Sequence, residues 1–205
     1  MDTTSKEIYP IVEIFHSIQG EGFWVGTNAL FIRLAGCDVQ CSWCDQKETW
    51  PIKGSSVFYL SCEELTQKVL SFTQSIVVVT GGEPLMHNLY PLTNALKNAG
   101  LKVHLETSGA HSFSGDFDWV TFSPKTFKAP NPSIYAKADE LKVIVANEQD
   151  LKWGEEIARN IPSNTFRYLQ SEWNSPASIQ VIVEYILRHP QWRLSLQSHK
   201  FLNIP

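Results

Sequence analysis

Long hydrophobic runs are missing from this chain. No stretch reaches the ~18 apolar residues a membrane-spanning helix needs, and the start, MDTTSKEIYPIVEIF, holds no uninterrupted apolar segment of the secretory type. Runs of Lys or Arg are missing too. With a net charge of −4 and no basic stripe, neither nucleic acid nor membrane is an expected direct partner. No internal repeat, low-complexity tract or flexible linker interrupts the 205 residues, so residues 1–205 read as a single domain. Cysteine is scarce, four residues in all, which suits a reducing, cytoplasmic setting better than a disulfide framework. Core-forming residues are not scarce: a hydrophobic fraction of 43%, with seven Trp and eleven Phe, is ample for one large core.

Three of the four cysteines fall in one loop, GCDVQCSWCDQ. Cys37, Cys41 and Cys44 have the spacing C-x3-C-x2-C. Thiolates are soft ligands suited to zinc, copper(I) or iron–sulfur clusters. A closed zinc site would want a fourth Cys or His at short spacing, and Cys62 lies in another segment. A cubane cluster usually takes four thiolates, so three leave one iron open to an outside ligand. Zinc completed by a distant histidine and a disulfide with a leftover thiol stand as the alternatives.

The rest of the chain alternates strand and helix. Val12–Phe15 reads as a short strand before the polar loop His16–Gly22, and Ala29–Leu34 as a buried strand delivering the chain to the cysteine loop. Ser61 and Glu64 form a capping box ahead of Leu65, Val69 and Phe72 at helical spacing. Ile76–Thr80 is a strand ending in Gly81-Gly82-Glu83-Pro84, and Leu89, Leu92 and Leu96 mark a helix that stops at Gly100. Strands follow at Leu101–Glu106, Trp119–Phe122, Leu141–Val145, Phe166–Gln170 and Trp192–Leu196, with Thr126–Ser133 as a surface excursion. Helices are expected around Leu151–Ile157 and from Ser175-Pro176, the latter with Ile179, Ile182, Val183, Ile186 and Leu187 in one stripe. Polar, glycine-rich segments recur after the strands, the edge where sites assemble in β/α folds. The expected fold class is therefore α/β: a reduced, incomplete (β/α) barrel of about six mostly parallel strands.

C-x3-C-x2-C followed by TGGEP after the next strand resembles the radical S-adenosylmethionine (SAM) superfamily. Further stretches extend the resemblance nearly end to end: SIQGEG, FIRLAGCDVQCSWCD, TGGEPL, ETSG, SPK, ELKVIV and LSLQSHKFLNIP. Within the superfamily this pattern is similar to the queuosine-pathway branch. That resemblance implies a lyase that converts 6-carboxy-5,6,7,8-tetrahydropterin to 7-carboxy-7-deazaguanine with loss of ammonia, a precursor for tRNA modification. It implies a [4Fe–4S] cluster on Cys37, Cys41 and Cys44, SAM chelating the open iron and giving a 5′-deoxyadenosyl radical, Mg2+, an electron donor such as a flavodoxin or ferredoxin, and a homodimer.

Residue by residue, the resemblance places SAM near Trp43, Asp45, Gly82, Glu83, Ser108, Ser123, Pro124, Lys125 and Gln170. A missing Cβ at Gly81 and Gly82 suits close approach of a ligand to backbone. It places the pterin near Ile18, Gln19, Gly20, Glu21, Arg33, Thr80, His199 and Pro205. Arg33 interrupts an apolar strand, where an unpaired cation is costly; it pairs either with the substrate carboxylate or with a structural carboxylate. Pro205 either contacts substrate or frays. Gln46 stands where the family commonly has Thr or Ser beside Mg2+; a hard cation accepts an amide oxygen as well, so Mg2+ is expected to bind differently, with a weaker dependence. Cys62 is expected to be buried and inert, and the histidines other than His199 structural. Two rival readings are an activating enzyme acting on a partner polypeptide and a non-catalytic metal-binding module.

Overall fold

Strands and helices alternate through residues 7–205, the part of the chain that the computed structural model describes. The order is β1 (Ile8–Ile18), β2 (Asn28–Leu34), β3 (Phe58–Ser61), α1 (Cys62–Leu70), β4 (Ile76–Gly81), α2 (Tyr90–Asn98), β5 (Val103–Thr107), β6 (Trp119–Phe122), β7 (Glu140–Val145), α3 (Glu148–Ala158), β8 (Phe166–Ser171), α4 (Ser178–Arg188), β9 (Trp192–Ser195) and α5 (Ser198–Leu202). They form one nine-stranded sheet ordered β3-β1-β2-β4-β5-β6-β7-β8-β9. From β2 through β9 every neighbouring pair is parallel, whereas β1 pairs antiparallel with both β2 and β3. The expected mostly parallel α/β sheet is present, with more strands than the expected six.

Both faces of the sheet are partly buried, which hides the alternation within ALFIRL and IVVVT. Leu30, Ile32 and Leu34 belong to the larger core with Val77, Val79, Leu105 and Val143, under Leu65, Leu92, Leu96, Leu151, Ile157 and Ile182 of the helices. Ala29, Phe31, Ile76 and Val78 form a smaller apolar patch on the other face, joined by Phe15 and Trp24. The residues that follow on this second face are Arg33 and Thr80, paired across β2 and β4. The concave face thus passes from apolar at its base to polar at the carboxyl ends of the strands.

Several expectations need correction. β1 runs eleven residues rather than four, because Ile8–Ile11 pair with β3 and His16–Ile18, expected as loop, pair with β2. β3 and α5 escaped the sequence reading: each is short, and α5 has no side-chain cap. α1 has the expected capping box but ends before Phe72. In α4 only Ile182 of the expected stripe is fully buried; Ile179, Val183 and Leu187 are exposed. No α-helix connects β5 to β6 or β6 to β7, in keeping with a pared-down barrel. The excursion after β6 is mainly exposed, and it ends in a 3₁₀ turn, Pro132–Lys137, that buries Ile134.

Candidate active site

The cysteine loop leaves β2 at the carboxyl edge and is pinned by backbone. Gly36, at φ +101°, donates to Thr49 O (2.7 Å), and Cys37 N donates to Trp50 O (3.1 Å). The loop rests on the turn after β4, where Glu83 N reaches Gly36 O at 2.8 Å. A Cβ at Gly82 would stand 2.3 Å from Gly36 O and 2.8 Å from Cys37 Cβ, and one at Gly81 would strike Leu34 backbone at 2.2 Å. Only glycine fits these positions.

Cys37, Cys41 and Cys44 are free, half-buried and line one cavity of about 270 Å³. Burial pushes the Cys37 and Cys41 thiols up. Cys62 is remote from them, buried in the core at the start of α1, with its thiol pushed up to about 11. Among the described residues no trio of His, Cys, Asp or Glu is set to hold a single metal ion. The residues do fit a cluster with an open corner. Three thiols line one cavity with no fourth, and the indole Nε1 of Trp50, another lining residue, is buried without an acceptor among the described residues.

Trp43, Asp45, Gly82, Glu83, Ser108, Ser123, Lys125 and Gln170 line the same cavity. Pro124 does not; it borders a neighbouring cleft with Trp43 and Lys125. Glu83 braces the site, accepting from Leu85 N (3.0 Å), Thr107 Oγ1 (2.5 Å), Ser108 N (2.8 Å) and Ser108 Oγ. Its carboxylate is engaged by the protein, because the turn after β4 and the loop after β5 both converge on it. Lys125 Nζ donates to Ser123 O (2.5 Å) and Oγ (2.9 Å), and burial pulls its ammonium down. Ser195 Oγ donates to Gln170 Oε1 (2.7 Å) and receives Gly22 N (3.0 Å).

A second lobe of about 180 Å³ adjoins the first and is lined by Ile18, Gln19, Gly20, Glu21, Arg33, Thr80, His199 and Pro205. The two lobes share Glu21, Arg33, Asp45, Gln46, Thr80, Glu106 and Gln197. The segment after β9 closes over this lobe. Ser198 N and Oγ both donate to Gly20 O (3.0 and 2.9 Å), Ser17 Oγ donates to Pro205 O (2.8 Å), and Lys200 Nζ pairs with Asp45 (2.7 Å). A Cβ at Gly20 would overlap the His199 ring, so the loop passes directly under it. Arg33 pairs through Nε with Glu13 (2.5 Å) and lies against the Phe15 ring. The structural ion pair is real, and it engages only the inner nitrogen of the guanidinium.

Sequence reading assigned no role to Lys142 or Glu106, which meet Glu21 between the lobes. Lys142 Nζ donates to Glu106 Oε2 (3.0 Å) and to Glu21 Oε2. Gln19 Nε2 donates to Glu106 Oε1 (3.2 Å), and Gln197 Nε2 to Glu21 Oε1 (3.0 Å). Burial alone would raise the Glu21 carboxyl, but Lys142 overrides it and holds the group down at about 2. Burial wins at Glu106, which is raised, and at Glu140, pushed up to about 7 while its carboxylate accepts from Phe23 N (3.1 Å). The available signal was a charged residue inside ELKVIV, an otherwise apolar strand.

The other histidines are structural: His87 bonds Ala35 O, His111 meets Asp38, His16 meets Asn28, His189 stacks on Tyr185, and His104 packs against Trp24. No helix among the described residues is long and apolar enough to cross a membrane.

Comparison with known proteins agrees with this geometry. A family model described as a 4Fe-4S single cluster domain matches residues 18–129. The 7-carboxy-7-deazaguanine synthase of Synechocystis sp. is 55% identical over 196 residues, covering 96% of this chain and 93% of that protein. The synthase of the same name from Escherichia coli strain K12 is 34% identical over 221 residues, covering 96% of this chain and 99% of that protein. The crystal structure of QueE from Escherichia coli superposes with a TM-score of 0.86 at 32% identity, covering 94% of this chain and 95% of the other. With a cluster-type cysteine loop, a matching fold and relatives aligned over nearly their whole length, the chain belongs to the 7-carboxy-7-deazaguanine synthase family of radical SAM enzymes.

Proposed function

We propose that this enzyme contracts the ring of 6-carboxy-5,6,7,8-tetrahydropterin to give 7-carboxy-7-deazaguanine and ammonia, supplying the queuosine route to modified tRNA. The observation that carries the reading is the wall shared by the two lobes, formed by Glu21, Arg33, Asp45, Gln46, Thr80, Glu106 and Gln197. In this reading the wall lets cofactor and pterin lie side by side, and positioning of reacting groups is the protein's part in cofactor chemistry. When cluster and SAM are bound, the chemistry they supply is abstraction of a hydrogen atom from a substrate carbon.

In this reading Cys37, Cys41 and Cys44 hold the [4Fe–4S] cluster. Trp43, Asp45, Gly82, Ser108, Ser123, Lys125 and Gln170 hold SAM, with Glu83 as the brace that sets Ser108. Lys125 is a compact charge suited to the cofactor's carboxylate. Ile18, Gln19, Gly20 and Glu21 read the amino-oxo edge of the pterin through paired hydrogen bonds. The outer nitrogens of Arg33, free of Glu13, pair with the substrate carboxylate, while Thr80, His199 and Pro205 complete the lobe. Gln46 borders both lobes and offers an amide oxygen to Mg2+ where the family commonly has a hydroxyl, so the ion is held differently.

Residues 1–205 act as one cytoplasmic domain, a reading supported by the single continuous sheet. A flavodoxin or ferredoxin supplies the electron. The exposed Ile179, Val183 and Leu187 of α4 support a homodimer. The test is an anaerobic incubation of reconstituted enzyme with SAM, reductant and carboxytetrahydropterin, followed by mass analysis. Deazaguanine product without any partner polypeptide is the expected result. Cleavage of SAM with no turnover of the pterin would overturn the substrate assignment.

A further inference from the structure

We infer that Lys142 is a positioning residue for the substrate lobe: it holds Glu21 and Glu106 as a fixed pair of ionised acceptors, selecting a heterocycle that presents N–H donors. This rests on the function proposed above and assigns its specificity.

The geometry is specific. Glu21 comes from the loop after β1, Glu106 from β5 and Lys142 from β7, so one ammonium ties together three distant parts of the fold. The Lys142 side chain is only 6% exposed, and those of Glu21 and Glu106 16% and 19%. Both carboxylates line both lobes, whereas Lys142 reaches only the cofactor lobe. It therefore approaches the pair from the side away from the substrate lobe. Each carboxylate oxygen that accepts one protein donor keeps a further acceptor site. Two carboxylates against one ammonium leave a net negative charge in a buried place, which is costly unless a ligand brings donors to it. The amino and ring N–H groups of a pterin are such donors, and a neutral aromatic without them would leave the pair uncompensated.

The charged and titratable groups around this trio are Glu140, Lys125 and His199, with Arg33, held by Glu13, and Asp45, held by Lys200, on the same wall. Glu140 faces Lys142 from the same strand but is occupied by the Phe23 amide. Lys125 lies across the cofactor lobe, and His199 lies over the Gln19–Glu21 loop. None of them hydrogen-bonds to both carboxylates, as Lys142 does, so Lys142 alone offsets the two together against the burial that raises Glu106.

The test is the pH dependence of turnover by reconstituted enzyme at saturating SAM. Removing the ammonium in Lys142→Met leaves two buried carboxylates facing each other, and one of them retains a proton near neutrality. The expected result is a KM for the pterin raised at least about tenfold at pH 7, falling back as pH rises towards 9. The kcat at high pH should stay within about threefold of the wild type. Iron content and cluster absorbance should be unchanged. A folded Lys142→Met enzyme with wild-type KM, or with a loss equal at every pH, would overturn the inference. Should that variant not fold, Glu106→Gln serves in its place: it keeps Lys142 paired with Glu21 and should raise KM about tenfold with no dependence on pH between 6 and 9. A KM within twofold of the wild type would overturn the inference. Absence of pterin turnover by the wild type is a separate outcome and counts against the function proposed above.

Discussion

His104 stands under the site, buried between Trp24 and Trp119, with burial pulling its imidazole down to about 4. A free histidine titrates near 6.5. Between those values the unfolded chain takes up a proton that the folded chain refuses, so stability is full above pH 6.5 and falls as pH drops towards 4. The loss amounts to on the order of 3 kcal/mol. Glu140, raised to about 7, acts in the opposite sense, so the comparison must be made against a variant. In thermal melts from pH 7 to 4, wild type should lose stability relative to His104→Phe; parallel curves would contradict the assignment. Gln46 makes a second prediction at this scale. With an amide in place of the hydroxyl the ion is held differently, and stripping Mg2+ should slow turnover by less than about threefold. A steep loss, fully restored by adding Mg2+ back, would count against it.

The capping box at the start of α1 joins residue to element. Ser61 Oγ accepts from Glu64 N (3.2 Å), and Glu64 returns to Ser61 N (2.8 Å). Ser61→Ala should cost about 1 kcal/mol of stability, read as a lower melting temperature with unchanged iron content, because α1 packs outside the site. This box was legible because it is local: two residues three apart announce it. The cysteine loop and the turn Thr80–Glu83 were legible for the same reason. β3 and α5 were not, since four or five residues carry no period and their order comes from partners elsewhere. Lys142 was readable only as an anomaly inside an apolar strand, because its partners Glu21 and Glu106 lie 121 and 36 positions away. Glu83, read as a cofactor contact, lines the cavity, and its further bonds to Thr107 and Ser108 were not legible because they come from a different strand end.

Across the whole molecule, the closing segment after β9 is the least secure part of the site and the most exposed to test. It holds the loop at Gly20 through Ser198, Glu21 through Gln197, and Asp45 through Lys200. Deleting residues 198–205 should leave the sheet and the iron content intact while raising KM for the pterin by about tenfold or more, since each lost hydrogen bond costs about 1 kcal/mol. A truncated chain that binds substrate normally would show that the segment only covers the lobe.

From β4 to β9 the sheet adds neighbours in the order of the chain, so these strands can pair one after another as a ribosome delivers them. The contact from Ser17 to Pro205 spans 188 positions and has to wait until Pro205 has itself been delivered. A nascent chain can therefore own its framework well before it owns a competent reaction chamber.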